Sequence, residues 1–108
     1  MTGCESPPAR AWQAAREYGA GTRALDDGDA AEAVVRLERA ASLSPQASEI
    51  RNHLGIAYWQ TGRPDRARAE FERALALDCE NEAARRNLDS LDAATQTVGE
   101  VGGTEDGG

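Results

Sequence analysis

The sequence predicts an all-α fold made of antiparallel helix-turn-helix units. Three observations lead there. Hydrophobic residues make up 40% of the 108 residues but aromatics only 5%, so the core must come largely from Ala and Leu. Close-packed helices suit that composition better than a sheet, which favours β-branched and aromatic side chains. Apolar residues recur at helical spacing. The chain also resembles itself at an offset of 34, pairing Gly21 with Gly55, Gly28 with Gly62, Ala33 with Ala67, Leu37 with Phe71 and Ala40 with Ala74. Pro45 falls on Cys79 at the same offset, the one dissimilar pair.

The repeat divides the chain into units of about 14–47 and 48–81. A partial third copy begins near Glu82, with Leu88 in register with Leu54. Five helices are expected, near 9–26, 30–43, 47–61, 64–77 and 81–95. In the first unit Gly28 stops one helix. Asp29 and Glu32 then resemble a capping box, and Ala33, Val34, Leu37, Ala40 and Ala41 form the apolar stripe of the next. In the second unit the stripe runs through Ile50, Leu54, Ala57 and Tyr58. Gly62 ends that helix, Pro64 opens its partner, and Ala67, Phe71, Ala74 and Leu75 face back. Glycine costs a helix about 1 kcal/mol relative to alanine, so Gly55 inside a helix calls for a packing reason. Gly55 and Ala67 are small where two antiparallel helices touch, with Tyr58 and Phe71 filling the space around them. In the third copy Ala84, Leu88 and Leu91 face the preceding repeat. Asp89 and Asp92 turn to water, as suits a helix that caps a stack.

A 34-residue helix-turn-helix unit with Leu54-Gly55, Tyr58, Ala67 and Phe71 resembles a tetratricopeptide repeat. The likeness covers about three quarters of the chain. Arg51 stands where that family often has Trp, and Cys79 where it often has Pro. In the first unit Glu17, Ala20 and Ala24 replace Trp, Leu and Tyr. The resemblance implies two repeats plus a C-terminal capping helix in a right-handed superhelical stack. The domain map is then 1–10 leader or tether, 11–95 repeat domain with its capping helix at about 81–95, and 96–108 an acidic Gly-rich tail expected to be disordered.

Composition and motifs narrow the chemistry. The formal net charge is −7, which repels phosphate backbones and speaks against nucleic acid as a partner. All 12 basic residues are Arg, a pattern that coding bias toward GC explains. The single His, His53, reads as an ordinary polar residue on the side of a helix. No nucleophile-base set, phosphate loop or metal-ligand spacing is present, and "GAG" at Gly19–Gly21 lacks the rest of a dinucleotide fingerprint. The chain reads as a non-enzyme with no cofactor and no metal.

The resemblance implies a module that binds a peptide or partner-protein segment in the groove lined by the first helix of each unit. Helical geometry selects the residues opposite the packing stripes: Tyr18, Thr22 and Leu25 on the first helix, Asn52, Ile56 and Trp59 on the third, and Arg86, Ser90 and Ala93 on the fifth. Trp59 is either a ligand contact or a wedge between neighbouring helices. Asn52 and Arg86 together suit one carboxylate. The alternative is a structural or assembly subunit. Two units and a cap fall short of the three repeats such arrays commonly need, so the chain would stack on a second copy, as a homo-oligomer, or in a larger complex, through the first helix with its Trp12.

The start "MTGC" resembles the end of a bacterial lipobox, with a polar, Pro-containing tether behind it. Cys4 is then either the acylated N-terminus of a cell-envelope lipoprotein, whose true start lies upstream, or a free cysteine in the tail of a cytoplasmic protein that begins at Met1. Membrane association is expected only through that acylation. Cys4 and Cys79 form neither a CxxC pair nor a disulfide framework.

Overall fold

The computed structural model describes the backbone of residues 9–107 and the side chains of residues 9–96. Its five helices are α1 (Ala9–Asp26), α2 (Ala30–Leu43), α3 (Ser48–Gln60), α4 (Pro64–Leu77) and α5 (Glu82–Gly107), and the described residues contain no strand. Helices α1 and α2 form one hairpin and α3 and α4 a second. Helix α2 packs on α3, and α5 closes the stack against α4 and α3. The expected all-α architecture of helix-turn-helix repeats is therefore the one observed.

Two left-handed glycines make the hairpin turns. Gly62 has φ +80° and Gly28 has φ +82°. In the second unit the amide of Gly62 donates to the Trp59 carbonyl (3.0 Å) and that of Arg63 to the Tyr58 carbonyl (2.8 Å). In the first, Gly28 donates to Leu25 (3.0 Å) and Asp29 to Ala24 (2.8 Å). This two-bond closure satisfies carbonyls that the helix end would leave bare, and it needs a residue that tolerates positive φ. Asp29 then starts α2 by accepting from the Glu32 amide (3.2 Å). The expected capping box is only half formed. The Asp29 amide is spent on Ala24, and the Glu32 carboxylate turns to Arg36 Nε instead (2.7 Å).

The two helices of each hairpin approach closely at a glycine. A β-carbon placed on Gly55 would lie 2.6 Å from Phe71 Cε1, and one on Gly21 would lie 2.6 Å from Leu37 Cγ. Phe71 and Leu37 are fully buried, as are Ala33, Ala40, Ala67 and Ala74, so small residues surround each large one. Ile50, Leu54, Ala57 and Tyr58 join the two hairpins in one core, and Leu91 of α5 completes it.

The position where the family resemblance expects Trp carries an ion pair in both units. Arg51 Nη1 donates to Glu70 Oε1 (3.2 Å), and Arg36 Nη1 to Glu17 Oε1 (3.3 Å). Glu70 is nearly buried and also accepts from Arg73 (2.6 Å). Where α3, α4 and α5 meet, Asn81 Nδ2 donates to Ser48 Oγ (2.7 Å), which donates to the Ala74 carbonyl (2.8 Å). Asn81 Oδ1 accepts from the Ala84 amide (3.0 Å), capping α5. Helix α3, begun by Ala47, has no such side-chain cap.

Three helices have the expected bounds, and α3 is one residue shorter at each end than expected. Helix α5 continues to Gly107, past the boundary expected near 95. Asp92 does not simply face water. It pairs with Arg68 of α4, tying α5 to the hairpin before it. Residues 1–8, with Cys4 among them, and the side chains of the Gly-rich tail from residue 97 lie outside the described residues.

Two outcomes follow. Gly55→Ala gains helix propensity of about 1 kcal/mol but drives a methyl into Phe71. Gly55→Leu gains nearly as much propensity but drives a much larger side chain into Phe71, and it should lower stability by about 1–3 kcal/mol in urea denaturation. A Gly55→Leu protein as stable as the parent would remove the close-contact role. After Asp92 the described side chains, Ala93 to Gln96, are all exposed. Removing residues 97–108 should therefore leave the melting temperature unchanged, and a fall of several degrees would show that the tail docks on the body.

Candidate functional site

Helices α1, α3 and α5 present one continuous face, and its polar contacts repeat with the fold. Tyr18 Oη lies 3.1 Å from His53 Nδ1, their rings edge to face with centroids 5.2 Å apart. One repeat later, Asn87 Nδ2 donates to Asn52 Oδ1 (2.9 Å). Tyr18 and Asn52 are repeat equivalents, as are His53 and Asn87. Each first helix thus hands a polar group to the next, and side-chain contacts of this kind hold α1, α3 and α5 in register. His53 Nδ1 also lies 3.0 Å from the Glu49 carbonyl. His53 is therefore a link between helices and not merely a solvated side chain, a role that becomes visible only once α1 and α3 are adjacent.

Eight of the nine residues expected to line this face divide into four groups. Asn52 is 2% exposed and engaged with Asn87. Its oxygen is taken by Asn87 and its side chain supports the wall, so little of it is accessible to share a carboxylate with Arg86. The reason is that α5 covers a position that looks outward on an isolated helix. Tyr18, Leu25, Ile56 and Trp59 pack partly on the core and keep one side accessible. Thr22 is half-buried, its hydroxyl donating to the Gly19 carbonyl (3.1 Å). Arg86 and Ser90 are exposed.

Trp59 combines the two roles expected as alternatives. Its ring meets Phe71 edge to face at 6.3 Å. Its other side opens on an apolar cleft of about 260 Å³ shared with Pro64, Leu91, Ala94 and Thr95. Arg86 occupies the place on α5 that Tyr18 has on α1 and Asn52 on α3. Among the described residues no further helix takes its side chain, and none supplies a partner for its guanidinium.

Burial raises the phenol pKa of Tyr18 above its ordinary value, and the nearby Glu49 carboxylate adds to the effect. Tyr58, on the opposite side of α3, is raised first by burial and then by its hydrogen bond to Glu38 Oε2 (2.5 Å). Among the described residues no cluster of His, Cys, Asp or Glu could hold a metal ion, and no helix is long and apolar enough to cross a membrane.

The hairpins, their glycine contacts and the exposed face of first helices define a helical repeat protein. The tetratricopeptide repeat family model matches residues 24–88, and the chain belongs to that family. It is 39% identical over 85 residues to a TPR repeat-containing protein of Pseudomonas aeruginosa, a match covering 79% of this chain and 32% of that protein. It is also 43% identical over 58 residues to the cellulose synthase operon protein C of Escherichia coli, covering 54% of this chain and 5% of that protein. The chain thus spans about a third or less of the curated relatives it matches. Membership brings the family's general character, a protein-interaction or scaffold role of a generally non-catalytic kind.

The raised phenols have a consequence at alkaline pH. Above the unfolded value of about 10 the unfolded chain loses its tyrosine protons while the folded chain keeps them. The stability held by the neutral phenols is complete below that pH and is lost as pH rises from it through the higher folded-state value. The chain has two Tyr and no Lys, so the alkaline arm of a stability profile should report on these groups. The urea midpoint should fall between pH 9 and pH 11, and Tyr58→Phe should flatten the fall. An unchanged slope in that variant would dissociate Tyr58 from the effect.

Proposed function

We propose that the protein is an interaction module that holds a peptide or partner-protein segment against the face of α1, α3 and α5. Tyr18, Thr22, Leu25, Ile56, Trp59, Arg86 and Ser90 would meet the ligand, and Asn52 would brace the wall behind them. The observation that carries this reading is the exposed guanidinium of Arg86, the last member of the polar series among the described residues. Tyr18 and Asn52 are taken by the next helix, while Arg86 is exposed beside α3, which carries Ile56 and Trp59 with accessible apolar surface. Aromatic residues and Arg are the types that dominate binding energy at interfaces. An unpaired guanidinium there suits a carboxylate or carbonyl of the bound segment.

A photo-crosslinking residue at Ser90 should capture a partner in the native host, and one at Glu72 of α4, on an exposed outer position, should not. Arg86→Ala should leave melting unchanged and weaken that partner by about 2 kcal/mol. Trp59→Ala should weaken it at least as much and should also cost stability, short of the 3–5 kcal/mol of a fully buried aromatic. Capture from Glu72 alone, with Arg86→Ala binding as the parent does, would move the site to the outer face.

A second reading, an assembly subunit joined through α1, rests on Trp12, which is 62% exposed. Mass in solution separates the two. A monomer at micromolar concentration favours the groove, and an obligate oligomer that Trp12→Ala dissolves favours assembly. Acylation of Cys4 would add a membrane tether in either case, and intact-protein mass from the native host reads it directly.

A further inference from the structure

The end of the stack formed by α1 and α2 carries a second surface, whose character emerges when it is compared with its repeat equivalent. In the second unit Ile50 is buried against α2, and Arg51, Glu70 and Arg73 form a closed set in which Glu70 accepts at 3.2 Å and 2.6 Å from the two guanidiniums. The same positions in the first unit hold Arg16, Glu17, Arg36 and Arg39. Arg16 is exposed where Ile50 is core. The ion pair keeps its place but reverses sign, with the acid on the first helix and the guanidinium on the second. Reversal leaves Arg39 three residues from Arg36, a like charge, where its counterpart Arg73 has Glu70. Like charges at that spacing repel.

Arg36 is held by Glu17 and Glu32. Neither Arg16 nor Arg39 has a carboxylate partner among the described residues. All three guanidiniums line one open cleft of about 580 Å³ whose only carboxylate among the described residues is Glu17. In a chain of net charge −7 this is a local reversal of sign.

We propose that this cleft binds a short acidic peptide segment whose side-chain carboxylates are taken by Arg16 and Arg39. The planar fork of Arg matches a carboxylate with two parallel hydrogen bonds. A peptide presenting a few carboxylates feels the local cations within a Debye length of about 8–10 Å. A long polyphosphate chain also meets the acidic remainder of the surface and is repelled. A preceding repeat does not suit the cleft, since Arg16 would replace the apolar side chain such stacking buries in the second unit.

Fluorescence anisotropy of a labelled hexaglutamate peptide with the full chain tests this. Arg16→Glu combined with Arg39→Glu should weaken binding by about tenfold or more. Melting should stay unchanged, because neither side chain makes an ion pair. Binding should also fall between about 50 and 300 mM salt, and Arg85→Ala, an exposed guanidinium of α5 outside the cleft, should bind the peptide as the parent does. The proposal is overturned if the double variant binds as tightly as the parent or if hexaglutamine binds equally well. Tighter binding of oligothymidine than of hexaglutamate would also overturn it, because the cleft would then be a phosphate site.

Discussion

The contact between Gly55 and Phe71 is the constraint on which the rest of the stack depends. A helix pays about 1 kcal/mol for an interior glycine. Here the missing β-carbon lets a buried aromatic ring lie against the backbone of the facing helix. Gly21 and Leu37 repeat the arrangement with a smaller side chain. Once these contacts fix how near the two helices of a hairpin come, the positions beside them on the second helix must be small, and Ala33, Ala40, Ala67 and Ala74 fill them. The low aromatic content is a consequence. At each glycine contact one large residue flanked by alanines occupies the space, and a second would not fit there.

Most of this was legible because the constraints are local. A glycine at a helix end with positive φ leaves a mark in the sequence wherever it recurs, and Gly28 and Gly62 recur at the repeat length. A glycine inside a helix marks a close approach. The stripes of Ile50, Leu54, Ala57 and Tyr58, and of Ala33, Leu37 and Ala40, follow from helical pitch alone. The half-formed capping box at Asp29 shows the limit. Glu32 has the right type and spacing, but α1 places Glu17 near Arg36, and that competing network claims its carboxylate.

The candidate face was legible only in part, for a related reason. Helical geometry places Asn52 opposite the packing stripe, and on an isolated α3 it would face water. The packing of α5 buries it. The links Tyr18–His53 and Asn52–Asn87 join residues on successive first helices, so no window along the chain contains both partners. What could have revealed them is the register itself. Tyr18 and Asn52 stand at one position of the unit, His53 and Asn87 at the next, and four polar residues at two adjacent positions point to a contact that repeats. Arg86 gains its interest from the same series, being the member with no successor among the described residues.

The reversed ion pairs carry the synthesis one step further. Glu17 with Arg36 and Arg51 with Glu70 occupy equivalent places, in a position where the family resemblance expects a tryptophan common to both units. A shared tryptophan would pack as well in a wrong hairpin as in the right one. Opposite polarities would not. If α1 paired with α4, Glu17 would face Glu70. If α3 paired with α2, Arg51 would face Arg36. Each exchange brings like charges together at a site where Glu70 is nearly buried and a mismatch costs most. Two hairpins built on the same glycine contact and the same turn are otherwise interchangeable, and exchange between copies is the characteristic error of repeat proteins. The reversed charges distinguish the units, favouring α1 with α2 and α3 with α4. Reversal also leaves Arg36 and Arg39 together on α2, beside Arg16 of α1, so a substitution that specifies the pairing contributes to the basic cleft there.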